Sequence, residues 1–158
     1  MVGKTVFILQ NGKKLNSNQF IRYFENKVLR TIRDGGMLDN DTKFSIKPDK
    51  EGKYKLLLFI LSRYPNSGKR KTFLSAECLD DAAVSIIEGL FKGKNVGLTP
   101  ENKPFYFMLR KEIEIYARLR KIGLRQPDFS DVAQMLNALE QNHKEIKYSV
   151  VRAFLKIK

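Results

Sequence analysis

Tryptophan is absent from this chain, and cysteine and histidine occur once each, as Cys78 and His143. A lone cysteine excludes an intramolecular disulfide. One Cys and one His also cannot supply the ligand set of a zinc or iron–sulfur centre within the chain. The two lie far apart in sequence and read as a half-buried cysteine and a solvated loop histidine rather than as a nucleophile–base dyad. No apolar run approaches the roughly 20 residues needed to span a bilayer; the longest is Leu56 to Leu61. Met1-Val2-Gly3-Lys4 opens no signal peptide, so the expectation is a soluble, cytoplasmic protein without a membrane partner.

Acidic residues are scarce as well: 17 Asp+Glu against 30 Lys+Arg give a net charge of +13 over 158 residues. Residues 1–72 hold most of the excess, with 16 basic and 6 acidic groups, and 109–158 add 11 and 6. An excess of this size speaks to partners rather than to fold, and for a soluble chain the commonest polyanion is nucleic acid. The rival, an anionic membrane surface, wants a basic amphipathic helix with exposed Trp, Phe or Leu, and none stands out. At 42% hydrophobic residues the chain has material for a core, and its length suits one compact unit.

Residues 4–15 predict a β-hairpin: Thr5 to Leu9 is β-branched and aromatic, Asn11-Gly12 is a hairpin turn, and Lys13-Lys14-Leu15 returns. Ser17 caps a predicted helix to about Arg33, with Ile21, Phe24, Val28 and Ile32 on one face and Asp34-Gly35-Gly36 at its end. Lys43 to Lys47 reads as a strand, Pro48 to Lys53 as a loop and Lys55 to Arg63 as a buried helix. A second core strand, Lys71 to Ala76, leads into a helix over Leu79 to Lys92. Its expected stripe is Ala83, Ile86, Ile87, Leu90 and Phe91, with Asp80 and Asp81 at its positive end and Gly93 closing it. After a loop at 94–104, Phe105-Tyr106-Phe107 reads as a short extended piece, either core aromatics or a stack for unpaired bases. Helices are expected at about 109–122, at 131–142 behind a Ser130 cap, and from Tyr148 to Ile157. The order indicates an α/β core with helical additions, divided as a hairpin plus helix at 1–36 and the core with C-terminal helices at 37–158.

Three stretches resemble the tRNA 2-thiolation enzymes of the PP-loop ATPase superfamily, the group that puts sulfur on a tRNA uridine. Phe7-Ile8-Leu9, then Phe20 to Glu25 and on to Lys43, resembles that family's zinc-ribbon-plus-helix opening. Leu79-Asp80-Asp81-Ala82-Ala83, continuing to Phe91-Lys92-Gly93, resembles its G-H-N-L-D-D-E-A-Q segment. Met135 to Glu140 and Ile146-Lys147-Tyr148-Ser149 resemble its C-terminal region. The three occur in family order. The resemblance implies a reduced PP-loop fold, of the adenine nucleotide hydrolase-like kind, whose hairpin is a degenerate zinc ribbon.

The departures are chemical. The family's S-G-G-K-D-S loop, whose glycines let backbone N–H groups approach ATP phosphates, falls on Asp49-Lys50-Glu51-Gly52-Lys53-Tyr54. Both adjacent glycines and both serines are gone, and two carboxylates stand beside the place of the triphosphate. One Cys-x-x-Cys of the ribbon falls on Asn16 and Gln19, and the other at and just before Val2. The family's catalytic Cys-Pro falls on Gln126-Pro127, and the segment that carries its cluster-binding cysteines is missing between about Ser67 and Arg70. Glu77 and Cys78 replace the His and Asn before Leu79. The resemblance thus implies a degenerate, shortened, non-enzymatic relative without cofactor or metal.

Candidate RNA contacts fall in groups. Lys4, Lys13 and Lys14 flank the hairpin; Arg22, Lys27, Arg30 and Arg33 share the polar side of the first helix. Lys69, Arg70 and Lys71 form a basic turn after Ser67-Gly68, and Arg110, Arg118, Lys121 and Arg125 repeat the pattern on the later helix. Each also reads as a plain solvated face. The leading expectation is a non-catalytic basic RNA-binding protein, its partner ribosomal RNA with ribosomal proteins, or tRNA. The alternative is an inactive structural subunit of a tRNA 2-thiolation complex docked on an active relative. A surviving enzyme using Cys78, Asp80 and Asp81 is the third class, and it lacks a visible phosphate cradle or nucleophile–base pair.

Overall fold

In the computed structural model the described residues are 3–94 and 99–157. Val2, where one ribbon Cys-x-x-Cys was aligned, and part of the 94–104 loop lie outside them.

The hairpin forms with short strands, β1 (Phe7–Ile8) and β2 (Lys14–Leu15), in the register Phe7 to Leu15. The Val6 N–H donates to the Leu15 carbonyl at 2.8 Å and the Leu9 N–H to the Lys13 carbonyl at 2.9 Å. Helix α1 runs Ser17–Asp34, and its cap is Asn16 rather than Ser17. Asn16 keeps an extended backbone, and its side chain accepts from the Gln19 N–H while the Gln19 side chain accepts from the Asn16 N–H. The reciprocal pair fixes the helix start one residue earlier than a lone serine would. The buried stripe is Phe20, Phe24, Val28 and Ile32, each four residues on from the last, so Phe20 takes the place expected of Ile21.

Strands β3 (Thr42–Lys47) and β4 (Arg70–Ser75) pair in parallel, from Thr42 with Arg70 to Lys47 with Ser75, and α2 (Lys53–Leu61) joins them as one βαβ unit. Two asparagines finish the edges. The Asn66 side-chain oxygen accepts the Phe44 N–H at 2.6 Å and its amide donates to the Phe44 carbonyl at 3.2 Å, standing in for a neighbouring strand. On the far edge the Ser75 N–H donates to the Asn102 carbonyl at 2.9 Å. The return from α2 to β4 presses Gly68 onto the Asp41–Thr42 peptide, where an added Cβ would lie 1.8 Å from the Asp41 carbonyl carbon.

Helices α3 (Leu79–Phe91), α4 (Arg110–Leu119), α5 (Asp131–Asn142) and α6 (Ile146–Ile157) complete the chain, with Ser130 capping α5 through the Ala133 N–H. One core gathers the α1 stripe, Phe44, Leu56, Leu57, Leu74, Phe105 and Tyr116; a second gathers Leu79, Ala83, Ile86, Tyr106, Leu136 and Val151. The α/β architecture with an N-terminal hairpin and C-terminal helices is therefore as expected, with two further local corrections. On α3 the buried face, set by α5 and α6, runs through Leu79, Ala82, Ala83, Ile86 and Gly89; Leu90 and Phe91 stand 70% and 74% exposed. Phe105-Tyr106-Phe107 is not extended but a pair of turns, closed by Tyr106 N–H to Lys103 carbonyl and Met108 N–H to Phe105 carbonyl bonds. Phe105 and Tyr106 are core; Phe107 is not. Among the described residues no helix is long and apolar enough to cross a membrane.

Gly68 yields a test. Gly68→Ala must move backbone rather than a side-chain tip, so it should destabilise by about 1–3 kcal/mol or more. Urea unfolding should show a lower midpoint at an unchanged m-value.

Candidate functional site

In open parallel α/β sheets the functional crevice lies beyond the C-terminal ends of the strands. Here those ends open on a cavity of about 320 Å³ lined by Lys47, Asp49, Glu51, Lys53, Ser75 and Asp81. Gly52, at φ +88°, turns the chain into α2, a conformation that a side chain would strain. The first turn of a helix offers free N–H donors and the positive end of the dipole, the usual seat of a phosphate. Asp49 already holds it: its carboxylate accepts the Lys53 N–H at 3.2 Å and the Tyr54 N–H at 2.9 Å.

Behind this cap lies a buried ion network. The Lys53 ammonium donates to Asp81 at 2.5 Å, lies 3.6 Å from Glu51 and 3.8 Å from the Cys78 sulfur. Burial pulls the Lys53 pKa down, and the adjacent Asp81 and Glu51 carboxylates raise it by more, so it is held above the ordinary lysine value. Burial pushes the Cys78 thiol up, and Asp81 pushes it further; as a protonated thiol it leaves the carboxylates to hold Lys53 charged. Burial also pushes Asp81 up, but Lys53, the Cys78 N–H and Arg110 together bring it below its ordinary value. Cys78 is thus a sealed thiol at the start of α3, fully buried rather than half-buried, and unlike a nucleophile.

The network continues across α4 and α6. Arg110 donates to Glu51 at 3.0 Å and to Asp81 at 2.7 Å, while its backbone N–H donates to Asp80 at 2.8 Å. Asp80 also accepts from the buried Lys147 ammonium at 2.5 Å, which donates further to Asn137 at 2.7 Å and Glu140 at 3.4 Å. A second relay links α1 to α4 and α6: Tyr23 donates to Glu112 at 2.8 Å, and Lys27 reaches Glu112 at 3.7 Å and the Tyr148 hydroxyl at 3.2 Å. Burial and then Glu112 hold the Tyr23 phenol well above its ordinary value.

The basic candidates divide accordingly. Lys4, Lys13, Lys14, Arg22 and Arg30 are exposed, as is Arg33, which lies 3.5 Å from Asp34. Lys27 is turned inward to the relay just described. Arg110 does not share a surface row with Arg118: it is the cation at the centre of the buried network. Arg118, Lys121 and Arg125 are exposed, but α4 ends at Leu119, so the last two lie in the following connection with Gln126-Pro127. Lys69, Arg70 and Lys71 are not a free turn. Arg70 and Lys71 open β4, Arg70 pairs with Asp39 at 2.9 Å, and the Lys69 N–H donates to Asp41. Sequence reasoning missed Lys53 and Lys147 altogether. Nothing in a lysine at a helix start predicts burial, though Lys147 lies within the Ile146 to Ser149 stretch that carried the resemblance.

The chain matches no protein-family profile and no curated protein. Its fold is that of a solved enzyme: the U34-tRNA thiolase NcsA from Methanococcus maripaludis, determined with its [4Fe-4S] cluster, superposes at a TM-score of 0.72 over 97% of this chain and 84% of that one, at 15% identity. The likeness is one of fold, and it spans the β3–β4 unit that bears the crevice. The residues here do not fit such a cluster. It takes several thiolates, and the one cysteine of this chain is sealed and protonated. They do not fit a triphosphate either, because Asp49 occupies the helix terminus and Glu51 and Asp81 add negative charge beside it.

The network dictates a pH profile. Asp81 is more acidic folded than unfolded, so its contribution is present above its ordinary value of 3.8 and lost as pH falls through the lower folded value. Lys53 is more basic folded, so its contribution is full below its ordinary value of 10.5 and lost only as pH rises beyond it. The thermal midpoint should be level between about pH 5 and 9 and fall on the acid side below about pH 4. Lys53→Met, which leaves Asp81 and Glu51 without this partner, should cost about 3–5 kcal/mol in a denaturant titration at pH 7.

Proposed function

We propose that this protein is a non-catalytic, basic RNA-binding protein of tRNA-related origin, derived from a tRNA-thiolating enzyme and acting on tRNA or ribosomal RNA in the cytoplasm. One observation carries the reading. At the crevice where the fold would seat a nucleotide, Asp49 caps α2 and an internal lattice of Lys53, Asp81, Arg110 and Asp80 fills the space behind it. Carboxylates and cations are matched there, so the +13 excess is carried by the surface, on Arg22 and Arg30 of α1, on Lys13 and Lys14 of the hairpin and on Arg118, Lys121 and Arg125. The fold relation to a U34-tRNA thiolase favours RNA among polyanions.

Binding of this kind is chiefly electrostatic. Neutralising about six phosphates loses on the order of a thousandfold in affinity between 50 and 200 mM salt. Replacing Arg22, Arg30 and Arg33 together by Ala should weaken binding to tRNA or ribosomal RNA fragments and flatten the salt slope by about two to three units. The fold should survive, because these side chains oppose the Phe20–Ile32 stripe. Wild-type affinity and slope in this variant, measured by anisotropy across a salt series, would count against the reading.

A second reading, an inactive structural subunit of a tRNA 2-thiolation complex, draws on Leu90 and Phe91. Side by side and 70% and 74% exposed at the end of α3, they offer apolar surface to a protein. Replacing both with Asp, if it breaks a complex with an active thiolase while RNA affinity persists, would favour it.

A further inference from the structure

The β3–β4 sheet is covered on one face only. Thr42, Phe44 and Leu74 point into the core, while the alternate side chains Lys43, Ser45 and Lys47 of β3 and Lys71, Phe73 and Ser75 of β4 point the other way. The register sets them opposite one another in pairs: Lys43 with Lys71, Ser45 with Phe73, Lys47 with Ser75. Parallel sheets ordinarily carry helices on both faces. This outer face is open, and Phe73 at its centre is 71% exposed. Its ring meets no other aromatic and no cation among the described residues, and none of the three lysines pairs with a carboxylate there. Of the acids next along the β3 row, Asp41 accepts the Lys69 N–H through its carboxylate and the Arg70 N–H through its backbone carbonyl, and Asp49 caps α2, where Lys47 and Ser75 border the crevice.

We infer that this face is a platform for single-stranded RNA: an unpaired base stacks on Phe73, and Lys43, Lys47 and Lys71 hold the flanking phosphates. The inference rests on the RNA-binding reading above and gives that reading a place and a substrate class. Cross-strand neighbours lie about 5 Å apart, and Lys43 and Lys47 are separated by about 13 Å along the strand, so Lys43 and Lys71 flank the ring at one end and Lys47 at the other. A flat ring among cations on a sheet suits an unpaired base and its backbone, since stacking is tolerant of sequence and phosphates need only positive charge. A protein partner would want contiguous apolar surface, and Phe73 has lysine and serine for neighbours on this face.

The chain has no tryptophan, so Phe73→Trp creates a single reporter at the site. Its emission should be quenched by a labelled 12-nucleotide single strand and much less by a duplex of the same length. Phe73→Ala should bind the single strand about 5- to 150-fold more weakly, the range of one lost base stack, with duplex binding little changed. Lys43→Gln/Lys47→Gln/Lys71→Gln should flatten the single-strand salt slope by about two units. Circular dichroism and urea midpoints of all three variants verify the fold, which these exposed side chains do not support. If wild-type protein binds RNA while Phe73→Ala keeps full single-strand affinity and Phe73→Trp is not quenched, the platform is wrong and the RNA reading stands. If wild-type protein binds neither form even at low salt, both fall.

Discussion

The Lys53 ammonium is sealed from water between Asp81, Glu51 and the Cys78 sulfur, and much of the chain is arranged around keeping it charged. A buried lysine without partners would lose its proton or unfold the protein. Meeting its need ties the start of α2 to the start of α3, and Arg110, drawn to the same carboxylates, ties in the start of α4. Asp80 then hands the connection to Lys147 on α6. The starts of three helices and the first turn of a fourth converge on one cluster in which every cation has a carboxylate within reach. Such a cluster adds less net stability than an apolar core of the same volume, but removing any one member is costly.

The same economy of ligands recurs at the sheet. With two parallel strands among the described residues, edges and a face that a larger sheet would cover are left to be finished locally. Asn66 supplies both hydrogen bonds that a strand beside Phe44 would make, and the Asn102 carbonyl meets Ser75 on the other side. Gly68 permits the tight crossover that brings Asn66 into place. What these devices do not cover is the outer face with Phe73 and its lysines. A crevice lined by internally paired charges and a sheet face open to solvent are thus two results of one small fold.

Much of the fold was legible in the sequence because its signals were local. Asn11-Gly12, the four-residue period from Phe20 to Ile32, and the Ser130 cap each specify structure within a few residues of themselves. Errors arose where a long-range partner decides. Ser17 and Asn16 are both good caps, and the reciprocal bond with Gln19 chooses between them. The spacing of Leu90 fits the core stripe, yet α5 and α6 face Gly89 instead. The site was legible in outline, since the carboxylates at Asp49 and Glu51 stood where glycines would cradle phosphate. Its inner half was not: Arg110 looked like a surface cation, and Lys53 and Lys147 gave no sign of burial, because a buried charge is recognised only by the carboxylates that the fold brings to it. Phe73 was hidden for the converse reason, in that a phenylalanine within a strand reads as core until the missing layer is seen.

The start of α2 and the crevice beside it are held by this protein's own side chains. Isothermal titration of the full chain with magnesium ATP at pH 7 tests it most directly. The account predicts no binding heat beyond dilution up to millimolar nucleotide, because a triphosphate would have to displace Asp49 from two N–H donors and enter beside Glu51 and Asp81. A saturable one-site isotherm in that range would contradict it.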